Sequence, residues 1–450
     1  MAEGVQEPLL QPEQDQSSVY LPCVGHFLAR WRERMWGYSV GLYMKNIWPN
    51  SLLSDDMFDV VESASTALFG PIVGHWVDSL PHEKVLQRWL VSQNLSSVVA
   101  GGSVIALLVY SSLKLTNFTA FLSLLILTSL SGAVGVLSTL SRTILIKRKW
   151  VVEISEGHSL KRPRMNSVIR LIDLTCKLIA PVVTRYIVSL VSLKASAFTL
   201  ALWNIISVWV EYWLFTSVYN GIPDSRERKR SLSQDEDNTD VIEGSSMSKI
   251  TKFVWNSWRV YLKQDVVLPG IARALLFFSV PSFGTLMTAA LEWQGITAFV
   301  IGIAHKFSAA IGIVATLLYP ILESRFSTPS IDLWSIWSQW TFLLVCVASI
   351  WVQSHLLSAY MLMGGVALSR LGSWTFDLSL IQQMQDRNDR CVVGGVHKSL
   401  QSCMDLMGYV MRVVISDPQD FWKLILISFG AVTMAALLYA TKKPANEPVS

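Results

Sequence analysis

Residues 224–240, DSRERKRSLSQDEDNTD, interrupt a chain otherwise rich in long apolar runs. The stretch mixes charges of both signs with serine and has no hydrophobic period. Residues 221–248 therefore read as a disordered linker, too polar to bury a core. Working outward, six apolar runs precede it, near 20–48, 56–78, 88–113, 117–146, 166–193 and 195–219. Six more follow, near 266–291, 296–321, 331–354, 358–385, 392–415 and 420–441. Each is long enough to cross the hydrocarbon core, which takes roughly 20 residues of helix. The chain is 51% hydrophobic and only 16% charged, against about 25% charged in an average soluble domain. Its 18 tryptophans lie mostly near the ends of the runs, where amphipathic rings sit at the membrane interface. The expected fold class is an all-α integral membrane protein, with two six-helix bundles spanning 20–220 and 266–441.

Basic residues set the orientation, because cytosolic loops retain lysine and arginine. Lys84 and Arg88 follow the second run, and Lys147, Arg148, Lys149, Lys161, Arg162 and Arg164 follow the fourth. The linker follows the sixth, Arg387 and Arg390 the tenth, and Lys442 and Lys443 the last. The alternate turns hold only Lys114 or Lys194, or neither. Both termini are expected in the cytosol, with 1–19 a disordered segment and 442–450 a tail. The N-terminal residues have no basic and apolar leader pattern, so no cleaved signal peptide is expected. Their EPLL resembles a dileucine sorting signal and equally fits chance. Just after the linker, MSKITKFVWNSWRVYLKQD (Met247–Asp265) places Ile250, Phe253, Val254, Tyr261 and Leu262 roughly on one helical face. Lys249, Lys252, Asn256, Arg259 and Lys263 fall largely on the other, so 249–265 is expected as an amphipathic helix on the cytosolic surface.

Five scattered cysteines without a CxxC suggest neither a disulfide framework nor a thiolate metal site. No nucleic-acid-binding pattern, HExxH, phosphate loop or GxSxG is present, so an enzyme is disfavoured. His26, His75 and His397 lie near the ends of their runs rather than at mid-span.

Ionisable residues inside a span cost at least about 2.5–3.5 kcal/mol on insertion scales, so each needs a partner or a wet cavity. Glu33, in ARWRERMWGYSV (Ala29–Val40), is the first. Two readings stand: an interfacial anchor, or a carboxylate facing a cavity. Arg34 lies about 100° around the helix and is not its obligatory partner. Asn166, Arg170, Asp173 and Lys177 form one stripe on the fifth span. The stripe fits a local Arg170–Asp173 pair or the wall of a gate. Asn204, Ser207 and Glu211 share a face of the sixth span, and Gln93 and Asn94 interrupt the third. Glu33, Gln93, Asn204 and Glu211 converging would make an oxygen-rich divalent cation site; a structural hydrogen-bond network fits the same residues. In FFSVPSFGTLMTAALEWQG (Phe277–Gly295), Pro281 and Gly284 are expected to break the seventh span just before Thr285, and such breaks point to transport sites. Arg370, Trp374 and Asp377 share a face of the tenth span, and Gln401, Asp405, Gly408 and Arg412 one of the eleventh.

Six spans, a linker and six spans is the plan of the major facilitator superfamily, whose two bundles rock about a midplane site. GHWVD (Gly74–Asp78) fits the start of that superfamily's loop motif between the second and third helices, with Asp78 available for a cytosolic gate. In order along the chain come GHFLARWRERMW, GPIVGHWVD, SQNLSS, MNSVIRLIDLTCKLIAP, LWNIISVWVEYWLF, SRLGSWTFDLSLIQQMQD and GGVHKSLQSCMDLMGYV. That succession resembles the ferroportin family (solute carrier family 40), its plant branch most closely. The resemblance implies an alternating-access exporter of Fe²⁺, with Co²⁺ or Ni²⁺ as further cargo. It implies no resident cofactor, the divalent metal being the transported substrate and the bilayer its surroundings. It also implies a multi-pass protein of the plasma or vacuolar membrane, functional as a monomer. Residue by residue, Glu33 stands where the family usually has aspartate, and Gly37 where it has histidine. Gln93, Asn204 and Glu211 match the amino-terminal cavity; Asn166, Arg170 and Asp173 match the fifth-helix gate region and Asp78 the loop aspartate, and Asp377 on the tenth span is expected with the gate. Thr285 and Gly408 stand where vertebrate members place a cysteine and a histidine. A second cavity would then rest on Thr285, Asp405 and Gly408, with oxygen donors favouring harder metals. The vertebrate cysteine of peptide-hormone control is absent, so no such control is expected. The alternatives are a transporter of an organic solute or metal chelate, and a polytopic receptor or scaffold that moves nothing.

Overall fold

A computed structural model describes residues 12–47, 53–110, 112–155, 161–221, 246–278, 285–415 and 417–440, and every regular element among them is a helix. Residues 1–11, most of the linker, the tail from 441, and Pro281 with Gly284 lie outside the described residues.

The first half contains α1 (Pro12–Ile47), α2 (Leu53–Ser79), α3 (His82–Val109), α4 (Phe118–Ile144), α5 (Lys161–Leu190) and α6 (Leu193–Gly221). The linker leads to α7 (Ser246–Leu262). In the seventh span the described residues form α8 (Val267–Phe278) and α9 (Thr285–Trp293), and 279–284 lie outside the described residues. Then come α10 (Ala298–Glu323), α11 (Thr328–Ala348), α12 (His355–Gln385), α13 (Arg390–Val414) and α14 (Phe421–Ala440). The twelve spans and the division into two bundles are as the sequence predicts. α1 differs at its start. It is already helical at Pro12, ahead of the expected 20, and proline suits a first helical turn because its missing N–H would have no partner there.

Among the described helices, α3, α4, α6, α10, α11 and α14 are each long and apolar enough to cross a bilayer unaided. The other spans are the seventh and the charged α1, α2, α5, α12 and α13. Those five line the cavity between the bundles, together with the polar faces of α3, α4 and α6 that carry Gln93, Thr139 and Asn204. α6 shows the sorting. Trp203, Ile206, Trp209, Val210 and Trp213 are exposed on its outer face, whereas Asn204, Ser207, Val208 and Glu211 are buried. The outer face suits lipid, which takes apolar side chains without penalty.

Each bundle has its own apolar core. Trp89 and Trp150 each meet the Phe215 ring at 5.8 Å between centroids in the first. Met287, Leu291, Ile336, Phe376 and Tyr439 belong to the core of the second. α7 lies against α2 and α13. Phe253 meets His75 edge-on at 4.3 Å, and Tyr261 is fully buried. Leu262 departs from the expected inner face: it is 60% exposed, because the buried stripe of the helix runs through Ser257 and Tyr261 instead.

The bundles meet at the end of the molecule that carries the basic turns. α2 packs on α13, and α5 on α10 and α12. The α2–α13 crossing is a backbone contact. A Cβ on Gly74 would lie 2.7 Å from the Cys391 carbonyl oxygen and 3.0 Å from Gly395 Cα, and one on Gly70 would lie 2.9 Å from the Gly395 carbonyl oxygen. Small residues four apart let two helices approach this closely. Ser399 seals the same crossing by donating to the Ala67 carbonyl.

Candidate functional site

A cavity of about 890 Å³ lies between the bundles. Its wall runs from Arg148 and Gly394 at the basic end to Lys45 and Asp59 towards the other. α1 supplies Arg30, Glu33, Arg34 and Gly37 to it at helical spacing. Glu33 thus faces the cavity, and the interfacial-anchor reading falls away. Its carboxylate accepts from Arg30 at 2.8 Å and from Arg142, not from Arg34.

Asp173 is the hub of a second set. It is 6% exposed and holds His26 Nε2 at 2.9 Å, Arg30 Nε at 2.6 Å and Lys147 Nζ at 2.9 Å, with Arg170 at 4.0 Å. Arg170 reaches across to Asp377 of α12 at 2.6 Å and lies over the Trp374 ring at 4.0 Å. Asp377 also accepts from Arg273 of α8 at 2.8 Å. Arg170 therefore ties one bundle to the other through two carboxylates, each neutralised by further cations.

Three more contacts close this end. Asn166 and Gln385 exchange hydrogen bonds at 2.8 and 3.0 Å, and Gln385 also donates to the Lys147 carbonyl at 2.5 Å. Arg148 donates to the Ile381 carbonyl at 2.9 Å. Lys147 and Arg148 stand on a π-helical turn, Leu145–Trp150, that continues α4. From this turn Lys147 reaches Asp173 and its neighbour Arg148 reaches α12.

Deeper in the first bundle, Arg32 is 2% exposed and Glu211 fully buried. Arg32 Nε donates to Glu211 at 2.7 Å and Nη1 to Asn204 at 2.8 Å. With the Gln93 amide in the orientation that satisfies both its ends, its oxygen accepts from Arg32 at 3.3 Å and its nitrogen donates to the Gly135 carbonyl at 3.2 Å. Gln93, Asn204 and Glu33 line the cavity, whereas Glu211 sits behind Arg32 and does not.

The remaining expected residues are placed differently. Asp78 is exposed, and its backbone carbonyl accepts from Lys149 at 3.2 Å. On α13 the cavity wall is formed by His397, Lys398 and Gln401; Asp405 and Gly408 lie beyond it on the same helix. Thr285 opens α9, and its side chain, like that of Arg412, lies outside the described residues. Among the described residues, no three His, Cys, Asp or Glu side chains converge to hold a metal ion.

Sequence reasoning passed over Arg30, Arg32, Arg142 and Arg273 as site residues, read His26 only as lying near a span end, and read Lys147 only as a topology signal. The available clue was cost: each is an ionisable group in or next to an apolar run, and such a group needs a partner.

Two bundles of six helices around a charged central cavity have the major facilitator fold. The E. coli fucose:proton symporter overlays with a TM-score of 0.64 at 10% identity, over 96% of this chain and 100% of that one. A bacterial homologue of the iron transporter ferroportin, in its outward-facing state, overlays with a TM-score of 0.79 at 21% identity, over 94% and 98%. The profile of the family described as Ferroportin1 (FPN1) matches residues 16–432. Solute carrier family 40 member 2 of Arabidopsis thaliana is 52% identical over 460 residues, covering 95% of this chain and 90% of that one. The chain belongs to the ferroportin family, and it is a transporter rather than an enzyme.

Proposed function

We propose that the chain exports a divalent transition metal, Fe²⁺ first with Co²⁺ or Ni²⁺ as further cargo, from the cytosol by alternating access. The observation that carries this reading is the cavity: closed at the basic end, extending towards the opposite end, with the Glu33 carboxylate and two amides on its wall. The positive-inside rule assigns the basic end, and both termini, to the cytosol. The described conformation then faces away from the cytosol. Membership in a family of iron transporters supports iron as the cargo, and the membrane is the plasma or the vacuolar one.

Glu33, Gln93, Asn204 and Glu211 are the proposed metal contacts, with Glu33 and Asn204 foremost. Asn166, Arg170, Asp173 and Asp377 form the cytosolic gate, to which Asp78 contributes at the loop. In this conformation the carboxylates of Glu33, Glu211, Asp173 and Asp377 are each held by arginine or lysine. That suits a state that has released its ion, since a guanidinium and a metal cannot share one carboxylate oxygen at full strength. Thr285, Asp405 and Gly408 remain candidates for a second-half cavity used in another conformation.

The test is Fe²⁺ or Co²⁺ efflux from liposomes, where Glu33→Ala and Asn204→Ala are each expected to reduce the rate at least about tenfold. Wild-type rates in both variants reject the assignment. A second reading, transport of an anionic metal chelate, draws on Arg34, Lys177 and Lys398 in the cavity wall. It predicts flux only when chelator is present, whereas a receptor or scaffold gives no flux under either condition.

A further inference from the structure

Four protein oxygens turn towards one cation in the first bundle, and that cation is a side chain. Arg32 Nε lies 2.7 Å from Glu211 Oε1 and Nη2 lies 3.4 Å from Oε2. Nη1 lies 2.8 Å from Asn204 Oδ1 and 3.3 Å from the Gln93 amide oxygen. A carboxylate and two amide carbonyls are donors that hard divalent cations take. They are equally the acceptors that a planar guanidinium fork satisfies. Arg32 and Glu211 are 2% and 0% exposed, so there is little room for both occupants.

We propose that Arg32 is a tethered counter-cation. Its guanidinium occupies the position a divalent ion would take among Gln93, Asn204 and Glu211, so a seated Arg32 and a bound metal exclude one another. This rests on the exporter reading for its role in the cycle, but not for the binding itself. The charge change points the same way: a neutral residue at 32 removes one positive charge from beside a bound divalent ion. Arg32 is thus the specificity-determining residue of this wall. While it is seated, Asn204 and Glu211 are taken, and Glu33 is itself held by Arg30 and Arg142. When it withdraws, Asn204 and Glu211 become available.

The experiment is Mn²⁺ binding to the full chain in nanodiscs, read by loss of the free-ion EPR signal. Mn²⁺ is a hard divalent probe that prefers oxygen donors. Arg32→Gln is expected to bind at least tenfold tighter than wild type, and Arg32→Gln with Glu211→Gln to lose that gain. Added methylguanidinium should compete Mn²⁺ away from Arg32→Gln, because it restores the missing occupant. No gain in Arg32→Gln, or a gain that survives Glu211→Gln, overturns the proposal. If Arg32→Gln does not elute as one monodisperse species, Arg32→Lys serves. It keeps the charge but cannot span Asn204 and Glu211 together, and it is expected to show a smaller gain; none there overturns the proposal equally. Binding is read without transport, so a wild-type chain that moves no metal refutes the exporter reading and leaves this result standing.

Discussion

Replacing Gly74 with valine is expected to abolish metal efflux while leaving the chain folded. The α2–α13 crossing brings backbone against backbone, and even the Cβ of alanine would stand 2.7 Å from the Cys391 carbonyl oxygen. No flexible side chain is there to move aside; one helix must shift. Overpacking of this kind costs about 1–3 kcal/mol where side chains can yield, and here the yielding atoms are backbone. The cost falls only on the conformation in which the bundles meet at the basic end. It therefore shifts the conformational equilibrium by at least about tenfold, since 1.4 kcal/mol is a factor of ten. Gly74→Ala should slow efflux and Gly74→Val should bring it to background. Cys391 supplies an independent readout, being 0% exposed at the same crossing. With the other four cysteines replaced, it should resist a membrane-permeant maleimide in the wild-type background and react in Gly74→Val. Wild-type efflux together with a protected Cys391 would rule the crossing out as the closing contact.

Two features of this end were legible in the sequence and others were not. The spacing Asn166, Arg170, Asp173 is an i, i+4, i+7 stripe, and a helix puts such residues on one face whatever the tertiary fold. The interruption at 224–240 likewise divides the spans by composition alone. Glu33 was legible as a carboxylate out of place, but its partners were not. Arg142 lies 109 residues away, and Arg32 finds Glu211 across 179. Nothing periodic in one chain encodes which bundle helices are neighbours. The π turn at Leu145–Trp150 is hidden for another reason. LIKRKW is an ordinary basic helix end, and only the packed structure shows that it is a π turn with Lys147 on Asp173 and Arg148 on the Ile381 carbonyl. The choice between metal and guanidinium at Asn204 and Glu211 was also undecidable from residue types, because both occupants require the same oxygens.

Asp173→Asn is expected to be the most destabilising single change in the network, and Arg170→Ala the one that most cleanly separates transport from folding. Asp173 neutralises Arg30 and Lys147 and orients His26 from a position only 6% exposed. Removing its charge leaves two cations facing one another without their shared carboxylate. Breaking a buried pair by deleting one partner costs about 3–5 kcal/mol, through the charge left behind. Arg30 and Lys147 are 19% and 14% exposed at the cavity wall, so water returns part of that penalty and the lower end of the range applies. Arg170→Ala strands no charge. Asp173 keeps Arg30 and Lys147, and Asp377 keeps Arg273 at 2.8 Å. What it severs is the 2.6 Å link from α5 to α12 and the stacking on Trp374 at 4.0 Å. Melting followed by fluorescence-detected gel filtration should rank Asp173→Asn well below wild type and Arg170→Ala close to it. Efflux should fall at least about tenfold in both, because the cytosolic end no longer closes with its full set of bonds. Asp377→Asn should melt between the two, since it removes the carboxylate that Arg170 and Arg273 share but leaves Asp173 intact. The reverse order, with Arg170→Ala the least stable, would mean that Arg170 supports the first bundle itself rather than the junction between the bundles.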